Sequence, residues 1–120
     1  SRRENIRRVM HVAKLFKTAN LVTLVTLISP FRSSREQARS LIGENFIEVY
    51  VKADLETCRA RDPKGLYKKA LAGEILDFTG IDAPYEAPEA PDLVLDTDTW
   101  NEVECVETLV NEILARLGRA

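Results

Sequence analysis

Two neighbouring blocks, Arg61-Asp62-Pro63-Lys64-Gly65-Leu66-Tyr67-Lys68-Lys69-Ala70 and Phe78-Thr79-Gly80-Ile81-Asp82, gather cations, a glycine hinge and an aromatic ring into one short stretch. Pro63 disfavours helix at Asp62, so Arg61 closes a helix with its guanidinium near a turn. There it can stack on the flat face of an adenine. Gly65 can adopt backbone angles closed to other residues, and Lys64, Lys68 and Lys69 add positive charge around it. Phe78 sits in a polar surround, where an aromatic either inserts into a core or stacks on a ligand base. Together these residues point to a kinase for an anionic nucleotide, with residues 62–82 as its lid. A lysine-rich helix is more often a solvated face than a phosphate clamp, and it is the company of a hinge, an arginine and an aromatic that favours the clamp. The 120 residues contain no GxxxxGK[ST] pattern, whose backbone amides would cradle ATP phosphates.

A second constellation lies near the start. Arg2 and Asn5, three residues apart, project from one face at the N-terminal end of a helix, where the dipole favours anions. They offer a guanidinium fork for phosphate or sulfate and an amide for a base or ribose. Exposed arginines also simply aid solubility, and Arg3, Arg7 and Arg8 are close by. Ser29 follows an apolar run, at the carboxyl end of an expected strand. Ligands of open α/β sheets bind at that end, which puts Ile28 and Ser29 at the mouth of a site, although Ser29 and Pro30 would equally serve just to end the strand. His11 falls off the apolar stripe of its helix and has no second histidine for a metal site. No residues have the spacing of a metal cluster or a nucleophilic triad. Cys58 and Cys105 read as free thiols.

These residues need a frame. Ile6, Val9, Met10, Ala13 and Phe16 recur at helical spacing and predict a helix over 4–19. The uncharged, β-branched run 21–28 predicts a central parallel strand buried on both faces. Ser33 and Glu36 have capping-box spacing for a helix over 34–42. Residues 46–51 read as a second strand, and Asp54 caps a helix from Leu55 to Arg61. Pro84, Pro88 and Pro91 mark an extended loop, and Leu93 to Leu95 form a third strand. Asn101 and Glu104 form another capping box, for a last helix ending at Gly118. Trp100 and Tyr85 are expected to pack. The alternation predicts an α/β fold with a parallel sheet and helices on both faces. Three strands make a thin sheet, and the run 21–28 implies neighbouring strands from upstream chain.

With 45% hydrophobic residues, the chain can build one domain or most of one. Its net charge of −2 hides a basic front and an acidic end: residues 1–39 carry nine Lys/Arg and two Asp/Glu, residues 77–120 two and eleven. The basic residues lack the aromatic interleaving of a nucleic-acid surface, so no nucleic acid is expected. Nor does any apolar run reach membrane-spanning length, and the expected location is cytoplasmic.

Arg2-Arg3-Glu4-Asn5-Ile6-Arg7-Arg8, Ile28-Ser29-Pro30-Phe31-Arg32, Phe46-Ile47-Glu48-Val49, the block from Ala60 to Ala70, Ala72-Gly73-Glu74-Ile75, Phe78 to Asp82, Pro84-Tyr85-Glu86 and Pro88-Glu89 resemble, in this order, the adenylyl-sulfate kinases. The resemblance covers nearly the whole chain. It implies a P-loop NTPase-like three-layer αβα fold. It also implies transfer of the ATP γ-phosphoryl group to the 3′-hydroxyl of adenosine 5′-phosphosulfate (APS), giving 3′-phosphoadenosine 5′-phosphosulfate (PAPS) in sulfate assimilation. Arg2, Asn5, Ile28 and Ser29 would contact the phosphosulfate substrate, Lys64 its anionic group and Phe78 its adenine. Arg61 would pack against the ATP adenine, bordered by Thr99 and Trp100. Lys64 and Ser29 take catalytic roles by resemblance, Ser29 as a residue that is itself phosphorylated in some proposals for the family. Mg²⁺, a homodimer and a sulfurylase domain or partner come with the resemblance as well.

The family's glycine-rich ATP loop and its D-G-D-N segment lie upstream of the R-x-E-N block, so residues 1–120 read as a single partial kinase domain, with the Mg²⁺ ligands expected in the missing part and no turnover expected from the fragment alone. Two other readings stay open: a non-catalytic module that binds APS or PAPS, and a P-loop kinase for another small substrate.

Overall fold

The computed structural model describes residues 1–118. Its contacts sort them into two units: Ser1–Glu48 with Glu86–Pro88, and Val49–Tyr85 with Glu89 onward.

In the first unit, α1 (Arg2–Thr18) begins at Ser1, whose hydroxyl accepts from the Glu4 amide. This side-chain cap satisfies one of the amides a helix start leaves unpaired. The predicted apolar stripe faces α2 (Arg32–Ile42), and Ile6, Met10 and Ala38 form the buried centre, flanked by Val9, Leu41 and Phe46. Lys17, in the last turn of α1, donates to the Ile42 carbonyl at 2.7 Å and so ties the two helix ends together. The expected capping box at Ser33 and Glu36 does not form. The N-cap of α2 is Phe31, which has no side-chain cap of its own.

Residues 21–28 are not the expected strand. The sheet among the described residues has two strands, neither of them in this run. Leu21, Val22, Leu24 and Ile28 are 56, 59, 70 and 59% exposed. An apolar, β-branched run favours extended backbone, but without a neighbouring ladder its amides and carbonyls gain no strand pairing.

The second unit holds the sheet. Here β1 (Val49–Lys52) pairs in parallel with β2 (Leu93–Asp96), Val49 opposite Leu93 through Lys52 opposite Asp96. Two helices lie between them in sequence, α3 (Leu55–Arg61) and α4 (Leu66–Leu71). β2 then leads into α5 (Glu102–Leu117), which packs on it. The Asn101–Glu104 capping box is present, with the Glu104 amide 2.8 Å from Asn101 Oδ1 and the Asn101 amide 3.2 Å from Glu104 Oε1. Asp54 is the N-cap of α3 by backbone position but makes no side-chain cap bond.

Candidate functional site

The first unit carries a cleft of about 310 Å³ whose lining includes Arg2, Asn5, Ile28 and Ser29. Sequence reasoning had singled out these four residues from two separate segments. Thr26 and Leu27 line the same cleft and went unnoticed, because their run was read as a strand buried on both faces. The polarity comes from the α1 start, where Arg2 and Asn5 lie one turn apart. Arg7 and Arg8, further along the helix, bind Glu4 at 2.7 and 3.0 Å. Hydrogen bonds from Arg7 and then Arg8 lower the Glu4 carboxyl to about 2. Glu4 therefore offsets part of the arginine charge beside the cleft.

Ser29 has a backbone φ of 40°, in the left-handed region that non-glycine residues rarely adopt. Such a conformation costs about 1–3 kcal/mol and persists where surrounding structure fixes it. Here the fixing groups come from α2 and from Glu86. Arg35, with only 9% of its side chain exposed, donates to the Ser29 carbonyl at 2.5 Å and to the Glu86 carbonyl. Its Nε lies 3.3 Å from Glu48. Pro30, next to Ser29, is fully buried, and its carbonyl accepts from the Glu86 amide at 2.8 Å. The Glu86 carboxylate accepts from the Arg32 amide at 2.9 Å, taking the part that the expected Ser33 cap does not play.

The second unit carries the other sequence-predicted residues. Arg61, at the end of α3, donates to Thr97 Oγ1 at 3.1 Å and to the Thr97 carbonyl at 2.7 Å. Thr97 in turn is anchored on the end of β1, its amide 2.9 Å and its hydroxyl 2.8 Å from the Lys52 carbonyl. Thr99 and Trp100 sit in the same turn, Thr99 donating from its hydroxyl to the Asp96 carboxylate at 3.2 Å and Trp100 from its amide to the Asp96 carbonyl at 2.8 Å. Arg61, Thr99 and Trp100 thus share the carboxyl end of the two-stranded sheet, and Trp100 is partly exposed there, at 37%. Nearby, the Asp98 carboxyl is lowered by a hydrogen bond from Thr57 and by the Asp54 amide.

Lys64 is exposed. Gly65, immediately after it, has φ 67° and starts α4, so the hinge glycine occupies the conformation its lack of a Cβ permits. The Asp62 carboxylate accepts from the Tyr67 and Lys68 amides, each at 3.1 Å, and caps α4 in place of a side chain that Gly65 lacks. Phe78 is half-buried and meets Tyr67 edge to face. Its amide and that of Asp77 both donate to Asp82, which closes a tight loop around Gly80. Burial, followed by the proximity of Cys58, pushes the Tyr67 phenol up from its ordinary value.

Arg35 and Glu86 were not singled out by spacing. Arg35 read as one more basic residue, and only its burial distinguishes it. Glu86 lay in the quoted Pro84-Tyr85-Glu86 block but without a role.

A parallel sheet with α-helices between and after its strands makes this a P-loop NTPase-like α/β protein. The family model for adenylylsulphate kinase matches residues 1–96. An adenylyl-sulfate kinase of Bacillus licheniformis is 56% identical over 113 residues, covering 93% of this chain and 57% of that relative. Another from Clostridium acetobutylicum is 52% identical over 109 residues, 91% of this chain and 54% of the relative. Among solved structures, the APS kinase CysC of Mycobacterium tuberculosis, in complex with AMPPNP and APS, superposes with a TM-score of 0.84 at 42% identity, covering 98% of this chain and 66% of that one. The chain belongs to the adenylylsulphate kinase family. It spans little more than half the length of these curated relatives.

Proposed function

We propose that these residues form part of an ATP-dependent kinase that phosphorylates the 3′-hydroxyl of APS to give PAPS. The observation that carries this reading is the single cleft bringing together Arg2, Asn5, Ile28 and Ser29, in a chain 42% identical to an enzyme solved with APS and an ATP analogue. In this reading the Arg2 guanidinium holds the phosphosulfate through paired, charge-assisted hydrogen bonds. The Asn5 amide contacts the nucleoside, and the backbone at Ile28 and Ser29 shapes the pocket wall. Lys64 supplies positive charge to the anionic group, and Phe78 stacks on the substrate adenine. Arg61, Thr99 and Trp100 receive the ATP adenine at the carboxyl end of β1 and β2.

Phosphoryl transfer asks a protein chiefly to position the two substrates in line and to stabilise spreading negative charge. The residues named here supply positioning and cationic charge; Ser29 acts as a substrate contact, and its phosphorylation is not needed for direct transfer. Among the described residues no three His, Cys, Asp or Glu side chains cluster as a cation site. We place the kinase in the cytoplasm as a homodimer, with a sulfurylase domain or partner as the source of APS; among the described residues no helix is long and apolar enough to cross a membrane.

The test is steady-state kinetics on the natural protein. Arg2→Ala and Asn5→Ala are each expected to raise the KM for APS about tenfold or more, as the loss of a hydrogen bond to a charged ligand does. Unchanged values in both would defeat the reading.

A further inference from the structure

We propose that Arg35 and Glu86 are positioning residues that hold the Ser29–Pro30 backbone in the shape the APS pocket requires, an inference that rests on the assignment of that pocket above. Neither residue lines the cleft, yet both hold the backbone of its Ser29 wall, Arg35 at the Ser29 carbonyl and Glu86 at the Pro30 carbonyl.

Ser29 adopts φ 40° without the help of glycine. Its own hydroxyl contributes little, with the Leu27 carbonyl 3.5 Å away. The carbonyl of Ser29 is instead held by Arg35 at 2.5 Å, and the same guanidinium reaches the Glu86 carbonyl through its other terminal nitrogen. A planar fork with donors in fixed directions can hold two carbonyls at once, whereas an ammonium is a point charge on a flexible stem. Glu48, 3.3 Å from Arg35 Nε, balances the buried charge and fixes the direction of the fork.

Glu86 closes the other side. Its amide holds the Pro30 carbonyl at 2.8 Å, and its carboxylate holds the Arg32 amide at 2.9 Å. One residue, more than fifty positions along the chain, thus spans both ends of the Pro30–Arg32 segment. Arg32 adds a bond from its Nε to the Ala87 carbonyl at 3.0 Å. The consequence is a clasp of hydrogen bonds around two consecutive residues, one of which faces the cleft: the charge-assisted bonds of Arg35 are part-buried, that of the Glu86 carboxylate is exposed, and the Glu86–Pro30 bond joins two backbones. Such bonds preorganise a pocket by removing alternative backbone conformations before the ligand arrives.

The experiment compares Arg35→Lys, Glu86→Gln and Arg2→Ala in the natural protein, with KM for APS, KM for ATP and kcat measured for each. Arg35→Lys keeps a charge beside Glu48 but loses the fork. Glu86→Gln keeps the backbone links and the shape but weakens the bond to the Arg32 amide. The expected result is a rise of about tenfold in the KM for APS for Arg35→Lys and a smaller rise, about threefold, for Glu86→Gln, with the KM for ATP unchanged in both. A purely structural role would lower the fraction of active protein, and with it kcat, and leave both KM values in place. That pattern, or equal rises for both substrates, overturns the proposal. If Arg2→Ala raises the KM for APS while the other two variants do not, the clasp alone is wrong. If Arg2→Ala also leaves it unchanged, the pocket assignment fails and the proposal falls with it.

Discussion

Tyr67 and Phe78 meet edge to face, with ring centroids 4.8 Å apart and planes at 81°. The pair joins the first turn of α4 to the loop closed by Asp82, so the aromatic assigned to the substrate base is oriented by a second ring. Such pairs contribute about 0.5–1.5 kcal/mol beyond their buried area. Phe78→Leu keeps apolar bulk without the ring. It is expected to lower stability by about 1 kcal/mol and to raise the KM for APS more than the KM for ATP. Kinetics with both substrates, alongside denaturant unfolding, check this.

Arg61 makes two bonds to Thr97, and Thr97 is itself bound to the end of β1. Arg61→Ala is expected to raise the KM for ATP about tenfold while leaving that for APS within twofold. Arg61→Lys should restore little of this, because an ammonium supplies neither the fork nor the flat face. Equal effects on the two substrates would remove Arg61 from the ATP side.

Gly80 has φ 88°, and a Cβ there would lie 2.8 Å from Leu55 Cδ1. Gly80→Ala combines a disfavoured backbone angle with a steric overlap and is expected to destabilise by about 1–3 kcal/mol. Adding Leu55→Ala relieves the overlap but not the angle. The double variant should therefore lose less stability than the sum of the two single changes, a difference that unfolding midpoints would reveal.

The Glu4 carboxyl falls from its ordinary 4.5 to about 2 because Arg7 and Arg8 bond to it. Between those values the unfolded chain binds more protons than the folded one, so stability rises with pH there. The contribution is complete above about pH 4.5 and is lost as pH falls towards 2. Glu4→Gln is expected to flatten that part of a plot of thermal midpoint against pH, and added salt should weaken the effect in the parent protein. A parent profile as flat as that of the variant would show that the pairs do not persist in solution.

Much of the frame was legible in the sequence, and the reasons are local. The α1 stripe from Ile6 to Ala13 and the Asn101–Glu104 box depend on residues three and four apart, which a linear reading can see. The proline loop and the short strand before α5 were likewise marked by nearby residues. Residues 21–28 were misread because composition reports a preference for extended backbone, while strand formation needs a partner elsewhere in the chain. The cap of α2 was misassigned for a similar reason. Ser33 and Glu36 had the right spacing, but Glu86 reaches the Arg32 amide from a distant segment. In the candidate site, residue type and order point to Arg2, Asn5, Ile28 and Ser29, and the structure places all four around one cleft. Arg35 escaped notice because burial, not identity, separates it from the other arginines of the basic front.

The central claim is most directly tested by incubating the purified natural protein with ATP labelled in the γ-phosphoryl group and APS, then resolving the nucleotide products. The account predicts label in PAPS, at the 3′ position, dependent on both substrates and strongly reduced by Arg2→Ala. Saturable binding of ATP and APS with no labelled PAPS would contradict it and would leave a binding module on a kinase fold.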